Sequence, residues 1–338
     1  MTATTSGLVC AHHHLYSTLA RGMPAPPATP TGFREILEQV WWRLDVALDL
    51  ELLRWSALLG AVEALESGTT AVVDHHESPS VIDGSLDVIA QACAEVGVRV
   101  VCAYGCTDRH GPEGAAAGLA ENERFLKSGG RGLVGLHAAF TCSDETLEAA
   151  AGLAADHGVG VHVHVAEGPD DVAAAERLRP FAGDDWVLAH GVLLAGAMPG
   201  TVVHNPRSNL NNGVGYARPE RFPRVALGTD GIGASMLDEF ALAYVMHRAD
   251  DVTATPDAAW AWLHAGADLV PEAAGDEVTW SGADRADPWY LAFTTGVRAT
   301  RVVIDGEVVV DGGTVTRVDG ERVRARAWEE ARTLWSRL

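Results

Sequence analysis

The chain has 338 residues, 47% of them hydrophobic, with a formal charge of −21 and a pI near 4.9. That much apolar sequence supports a large core, and suits one long domain with a small appendage better than two equal domains. So acidic a surface repels nucleic acid and anionic membrane, and excludes both as partners.

The opening residues, MTATTSGLVCAHHH, lack a charged n-region and a long apolar stretch, so no secretory leader is expected. Short β-rich runs then recur at Leu8–Ala11, Thr70–Asp74, Arg99–Tyr104, Leu133–Ala138, Gly160–Val165, Trp186–Ala189, Gly200–His204 and Val225–Gly228. Between them lie segments of helical periodicity, including Glu51–Glu66, Leu86–Val96, Ala115–Lys127, Glu145–His157 and Asp170–Leu178. Eight strands separated mostly by helices predict an α/β fold, a (β/α)8 barrel, with an open doubly wound sheet as the alternative. After the first strand, PAPPATP reads as an extended loop and Arg34–Leu50 as a helix beyond it, a segment placed to cover the site.

Past about Ala274 the pattern changes. Glu277–Trp280, Trp289–Phe293, Arg301–Ile304, Val308–Val310 and Thr314–Val318 read as short strands with DG and GG turns, and Glu321–Leu338 as a closing helix. The expected partition is a barrel over residues 1–274, a small β appendage over 275–320 and a helix over 321–338. No apolar run reaches the ~18 residues that span a bilayer. Five cysteines, odd in number and without paired spacing, favour a reducing compartment, so a cytoplasmic location is expected.

Polar residues gather at the carboxyl ends of these strands, the face where a barrel carries its chemistry. His12 and His14 follow the first strand, and Asp74, His75 and His76 end the second. His137 ends the fourth, His162, His164 and Glu167 the fifth, His190 the sixth, His204 and Asn205 the seventh, and Asp230 the eighth. Residues two apart on a strand point the same way, so His12 and His14 can chelate one ion while His13 faces away. His162 and His164 repeat that spacing. Imidazole and carboxylate donors suit Zn2+, or Fe2+ in a similar site.

GLVCAHHHLYSTLARGMP, SGTTAVVDHH, HVHVAE, VLAHG, HNPRSNLNNGVG and GTDG resemble the amidohydrolase superfamily over roughly residues 7–250. Within it they resemble the mononuclear branch of aminohydrolases, deaminases and chlorohydrolases, closest in look to the aminohydrolases associated with selenium metabolism. The resemblance implies His12, His14, His164 and Asp230 as ligands of one divalent metal. It implies Glu167 as the proton-shuttling residue and His190 as the residue that orients water and substrate. Asp230 then also serves as a base. Dinuclear members of the superfamily bridge their metals with a lysine at the end of strand four. Lys127 is the only lysine here and precedes that strand, which ends in Leu136-His137-Ala138, so a single ion is implied.

The implied reaction is hydrolytic deamination of a small N-heterocyclic or amidine-like compound. The alternatives are hydrolysis of another C–X bond, or a catalytically inactive relative that binds metal or ligand. His137, His75, Arg109 and Asn209 are candidate substrate contacts. Pairing with one of the 46 acidic residues is the competing reading of Arg109. Family members place a β-rich segment before the first-strand HxH. Here HxH arrives at residue 12, so half of a composite sandwich is expected to be missing, and a homodimer would cover the β edges left exposed.

Overall fold

Thirteen strands organise the chain; the computed structural model describes residues 2–338. β1 (Thr2–Ser6) stands apart from the eight that follow: β2 (Leu8–His13), β3 (Thr69–His76), β4 (Arg99–Tyr104), β5 (Val134–Ala138), β6 (Val161–Val165), β7 (Val187–His190), β8 (Thr201–His204) and β9 (Val225–Leu227). These eight run parallel in chain order. Ladders join β2 to β4 and β5 to β9. Parallel bridges at Cys102–Gly132 and Cys106–Leu136 link the two groups, and a bridge at His13–Asp230 closes the ring. Closure decides for the barrel over the open sheet.

Two apolar layers divide along each strand with period two. Val9, Ala71, Val73 and Val101 form one inner cluster, and Ala11, Val187, Val203 and Ala226 another. Their neighbours Leu8, Cys10, Val72, Val163, Leu188 and Val202 pack outward against the helices. Small and β-branched side chains predominate inside because eight strands leave room for little else. The outer helices start and stop where local chemistry directs. Asp49 caps the helix Leu50–Glu66 by accepting from Leu52 N at 2.9 Å. Ser143 caps Asp144–His157, which Gly158 ends in the left-handed region.

The segment after β2 is less regular than expected. A short 3-10 helix, Leu15–Ala20, is followed by the proline loop. Phe33–Ile36, a π-helical turn Leu37–Trp41 and Trp42–Ala47 then replace the single helix read over Arg34–Leu50. The expected helix Asp170–Leu178 is likewise broken into Pro169–Asp171, Val172–Ala175 and Glu176–Leu178.

The second unit is an antiparallel sheet of β1, β10 (Glu277–Ser281), β11 (Arg298–Ile304), β12 (Glu307–Asp311) and β13 (Thr314–Val315), in that order. It is discontinuous in sequence: β1 comes from within the range expected for the barrel and pairs with β10 from Thr2–Ser281 to Ser6–Glu277. The strand expected at Trp289–Phe293 is instead a helical turn, Pro288–Leu291. Asp287 caps it by accepting from Tyr290 N, and Pro288 sets its first φ. Those two local signals outweigh the aromatic content that suggested a strand. The helix Gly320–Trp335 closes the chain; its Arg324 is paired with Glu66, at the end of the helix Leu50–Glu66.

Candidate active site and metal centre

Strict alternation would turn several site residues away from the barrel axis, and the backbone departs from it at those positions. Along β2, Leu8 and Cys10 face outward, so His12 would follow them. Cys10 pairs with Val72 and His13 with Asp74, so β2 holds one extra residue, a bulge that turns His12 inward. On β7, Leu188 faces outward and His190 would too, but His190 has φ 73°. Asp230 has φ 55° and Ala166, beside Glu167, has φ 48°. Three of the five non-glycine residues in the left-handed region therefore lie at this one site, where such conformations, at about 1–3 kcal/mol each, concentrate. Gly228 lets the chain pass close to His12, since a Cβ there would lie 2.7 Å from His12 O. Asp230 N then donates to that same carbonyl at 3.1 Å.

Five groups converge as a result. Asp230 Oδ1 lies 3.3 Å from His12 Nε2 and 2.9 Å from His14 Nε2, and His14 Nε2 lies 3.2 Å from His164 Nε2. His12, His164, His190 and Asp230 offer donor atoms within 4.8 Å of one another, and so do His14, His75 and His164. The four expected ligands span both groupings. His13 turns away and meets Thr229 Oγ1 at 2.7 Å.

The other ring nitrogens orient the cluster. His14 Nδ1 donates to the His75 carbonyl at 2.6 Å, and His164 Nδ1 to the His137 carbonyl at 2.7 Å. A carbonyl only accepts, so both rings hold a proton on Nδ1 and turn Nε2 toward the centre as the nitrogen available to an ion. His190 Nδ1 meets Asn209 Oδ1 at 2.8 Å, and its buried Nε2, like that of His12, has no hydrogen-bond partner. Burial holds His12 and His164 well below the usual imidazole range, so both are neutral, as ligation requires. Burial pulls His14 down as well, but Asp230 outweighs it and lifts His14 to about 9. Burial alone would raise the Asp230 carboxyl; the close imidazoles of His12 and His14 hold it well below its usual range. Both shifts mark a centre that favours positive charge, and orphaned lone pairs around a buried carboxylate fit a divalent ion.

Glu167 lies at the edge of this cluster, 3.5 Å from His190 Nε2, and accepts from Asn212 Nδ2 at 3.2 Å. Burial raises its carboxyl above the usual range. Ser208 Oγ donates to Asp230 Oδ2. Ser208, on the helix Pro206–Asn211 after β8, and Asn212, its C-cap, are four residues apart and share one face, a spacing that HNPRSNLNN carries.

The centre opens into a cleft. Its walls carry His14, His164, His190, Glu167 and Asp230 on one side and Phe33, Trp41, Trp42 and Phe140 on another. No arginine or lysine lines it among the described residues, whereas Asp45, Glu77, Asp170 and Asp171 do.

Of the candidate substrate contacts, only His137 borders this cavity, held by Thr141 Oγ1 at 2.7 Å. His75 lies behind the cluster, fully buried, with Nε2 donating to the Leu136 carbonyl at 2.9 Å. Asn209 is buried against His190. Arg109 pairs with Glu77 and with Asp45 and stacks on Trp42 at 4.5 Å, so its charge is already engaged.

Residues 4–265 match the Amidohydrolase family. The chain is 31% identical to the 5′-deoxyadenosine deaminase of Methanopyrus kandleri, over 98% of this chain and 86% of that protein. It is 29% identical to a 5-methylthioadenosine/S-adenosylhomocysteine deaminase of Archaeoglobus fulgidus, over 96% and 86%. In structure it is similar to a zinc-bound adenosine deaminase from Xanthomonas campestris, with a TM-score of 0.84 at 21% identity over 99% of this chain and 86% of that one. A zinc complex of atrazine chlorohydrolase from Arthrobacter aurescens superposes with a TM-score of 0.80 at 22% identity, over 98% and 88%.

Proposed function

The chain belongs to the amidohydrolase family, in its deaminase and chlorohydrolase branch, and from that premise we propose that it deaminates adenine nucleosides with a neutral or cationic 5′ substituent. The reaction class is that of a metal-dependent hydrolase of non-peptide C–N bonds. The observation that carries the proposal is the convergence of inward-facing imidazole nitrogens and Asp230 beneath Glu167, at the floor of an aromatic-walled cavity.

His12, His14, His164 and Asp230 would hold one divalent ion, with zinc preferred over iron for a donor set of three imidazoles and a carboxylate. When bound, the ion supplies Lewis acidity, lowering the pKa of a water from ~15.7 towards ~7. Asp230, with Oδ1 toward the histidines and Oδ2 held by Ser208, is placed to accept the first proton. His190, turned inward by its positive φ, offers Nε2 to orient the attacking oxygen and the tetrahedral adduct. Glu167, its carboxyl raised by burial, is suited to protonate the ring nitrogen and then hand a proton to departing ammonia. Phe33, Trp41, Trp42 and Phe140 offer faces for a purine. The acidic walls, without arginine or lysine, argue against anionic substrates. This favours 5′-deoxyadenosine and 5′-methylthioadenosine over S-adenosylhomocysteine, whose carboxylate would be buried unpaired.

The likeness to aminohydrolases associated with selenium metabolism belongs to this proposal and rests on the sequence motifs alone. A cytoplasmic setting rests on the cysteines, all five of them free and buried; no helix among the described residues is long and apolar enough to cross a membrane. A homodimer is supported by the open edges of β1 and β13 and by the exposed Trp289 and Phe293. A monodisperse monomer in light scattering would remove it. The reaction is tested by metal analysis of the purified protein, then by ammonia release from 5′-deoxyadenosine, 5′-methylthioadenosine, adenosine and S-adenosylhomocysteine. About one zinc or iron per chain, with turnover of the first two substrates ahead of the last, is expected. Metal-loaded protein that releases no ammonia from any of them overturns the substrate proposal.

A further inference from the structure

We infer that His162, which has no role in the reaction proposed above, is the positioning residue that sets the tautomer and ring orientation of His12 at the metal centre. The inference rests on the metal reading of the preceding subsection and concerns one side chain behind it.

The four imidazoles that converge on the centre are steered from behind in unequal ways. His14 and His164 each face a backbone carbonyl, and His190 faces the amide oxygen of Asn209. Each of those partners accepts, so each fixes a proton on Nδ1 and leaves Nε2 as the nitrogen available to an ion. His12 has no such partner. Its Nδ1 lies 2.8 Å from His162 Nε2, an imidazole nitrogen that either donates or accepts. The tautomer of His12 therefore follows from that of His162.

Two arrangements satisfy this contact, and they carry the same number of protons. In one, His162 Nε2–H donates to His12 Nδ1, and His12 holds its proton on Nε2, 3.3 Å from Asp230 Oδ1 and in the ion's place. In the other, His12 Nδ1–H donates to His162 Nε2, His162 carries its proton on Nδ1, and His12 Nε2 is free to ligate. Only the second is compatible with a bound ion. His162 is the one hydrogen-bond partner of His12 Nδ1; it is fully buried, and its own Nδ1 has no hydrogen-bond partner. His162 is set on the inner face of β6, two residues before His164, with its ring 5.0 Å from that of His12 and 5.1 Å from that of His75. Packing on two sides leaves the ring little freedom to turn away from His12. The HxH of β6 thus contributes one residue facing the ion and one behind it, whereas both histidines of the HxH of β2 face the centre.

The experiment compares the wild-type chain with His162→Gln and His162→Phe, each shown to be folded by circular dichroism and thermal melting. Zinc affinity is measured by competition with a chromogenic chelator, and ligand geometry by the visible spectrum of the Co2+-loaded protein. Glutamine can place Oε1 where the Nε2 acceptor stood; phenylalanine fills the space without an acceptor. Expected is a loss of roughly 10- to 100-fold in affinity and a shifted Co2+ spectrum for His162→Phe, with most of both restored in His162→Gln. A folded His162→Phe that binds zinc as tightly as wild type overturns the inference, and so do Gln and Phe variants equally weakened, which would mark His162 as packing alone. Should neither variant fold, histidine 15N spectra of the zinc-loaded wild type decide. A proton on His162 Nδ1 with a bare Nε2 is expected, and a proton on Nε2 overturns the assignment. Wild-type protein that takes up no divalent ion removes the metal centre and this inference together, whereas tight wild-type binding with an equally tight Phe variant removes only the role of His162.

Discussion

The barrel mouth and the appended sheet are built from strands of similar length, yet they treat their polar groups in opposite ways. In the sheet, β10 follows the simple alternation: Val278 and Trp280 are buried while Glu277 is exposed, and Trp280 Nε1 donates to Thr5 Oγ1 at 2.9 Å. At the mouth, imidazoles and carboxylates are buried together, Nε2 atoms stand without partners, and the backbone is turned into the left-handed region at His190 and Asp230. Regular burial is what stability alone selects. Orphaned polar atoms and strained φ values persist only where something else is gained, and here that is a site for an ion and a substrate.

Substitutions at the mouth should therefore damage activity more than stability, and substitutions in the sheet the reverse. The largest effect is expected from His164→Ala and Glu167→Gln. Each should lower kcat/KM by roughly 1,000-fold or more, with melting temperature little changed for Glu167→Gln. The two separate by metal content, which should fall in His164→Ala and stay near wild type in Glu167→Gln. Equal metal loss in both would mean that Glu167 is structural. Next is Trp280→Ala, expected to destabilise by about 3–5 kcal/mol in urea titration while leaving kcat/KM of the folded enzyme within about twofold. A large fall in kcat/KM would show that the sheet and the mouth are coupled.

Asn209→Ala sharpens the comparison from within the mouth. It removes the acceptor that orients His190 without touching the cavity, and a loss of roughly 10- to 100-fold in kcat with little change in KM is expected. A change confined to KM would return Asn209 to the substrate-contact role read from the sequence.

A smaller effect is readable in pH. Burial lifts the Asp74 carboxyl to about 7, against an unfolded value of about 3.9. A carboxyl raised on folding favours the native state below about pH 4, and that contribution disappears as pH climbs through about 7. Asp74→Asn cannot ionise, and should gain in Tm relative to the parent as pH rises from about 5 to about 8, with both proteins saturated with zinc. A constant Tm difference would show that Asp74 stays ionised throughout. The smallest effect is expected at Asp319, which accepts from Arg322 N at 3.0 Å at the head of the closing helix. Its replacement by alanine should lower stability by about 1 kcal/mol, measured in the same urea titration, with no change in rate.

What was legible in the sequence follows from how each feature is encoded. All eight barrel strands are legible within a residue or two, because strands buried on both faces are written as short runs of consecutive apolar and β-branched residues. The strand ends, and hence the polar residues that share one face, followed from the parallel topology. β1 was missed because TATTS has little apolar character and becomes a strand only through pairing with β10, some 270 residues away. At Pro288–Leu291 the aromatic content points to a strand, but an aspartate cap and a proline at the first position make it a helical turn.

The sequence by itself determined the donor types, their order on successive strands and, through its single lysine, the absence of a bridging lysine at the end of strand four. These are properties of composition and spacing, and survive any arrangement that keeps the strands parallel. Only the tertiary structure decided which donors meet. A bulge turns His12 inward, and a positive φ re-aims His190 against the alternation of its own strand. It also decided that Arg109 is spent on Glu77 and Asp45, that Asn209 serves His190, and that His162 stands behind His12. The physical reason is the same in each case. Side-chain direction at a strand end is set by one or two dihedral angles, and those are held by contacts between residues far apart in the chain.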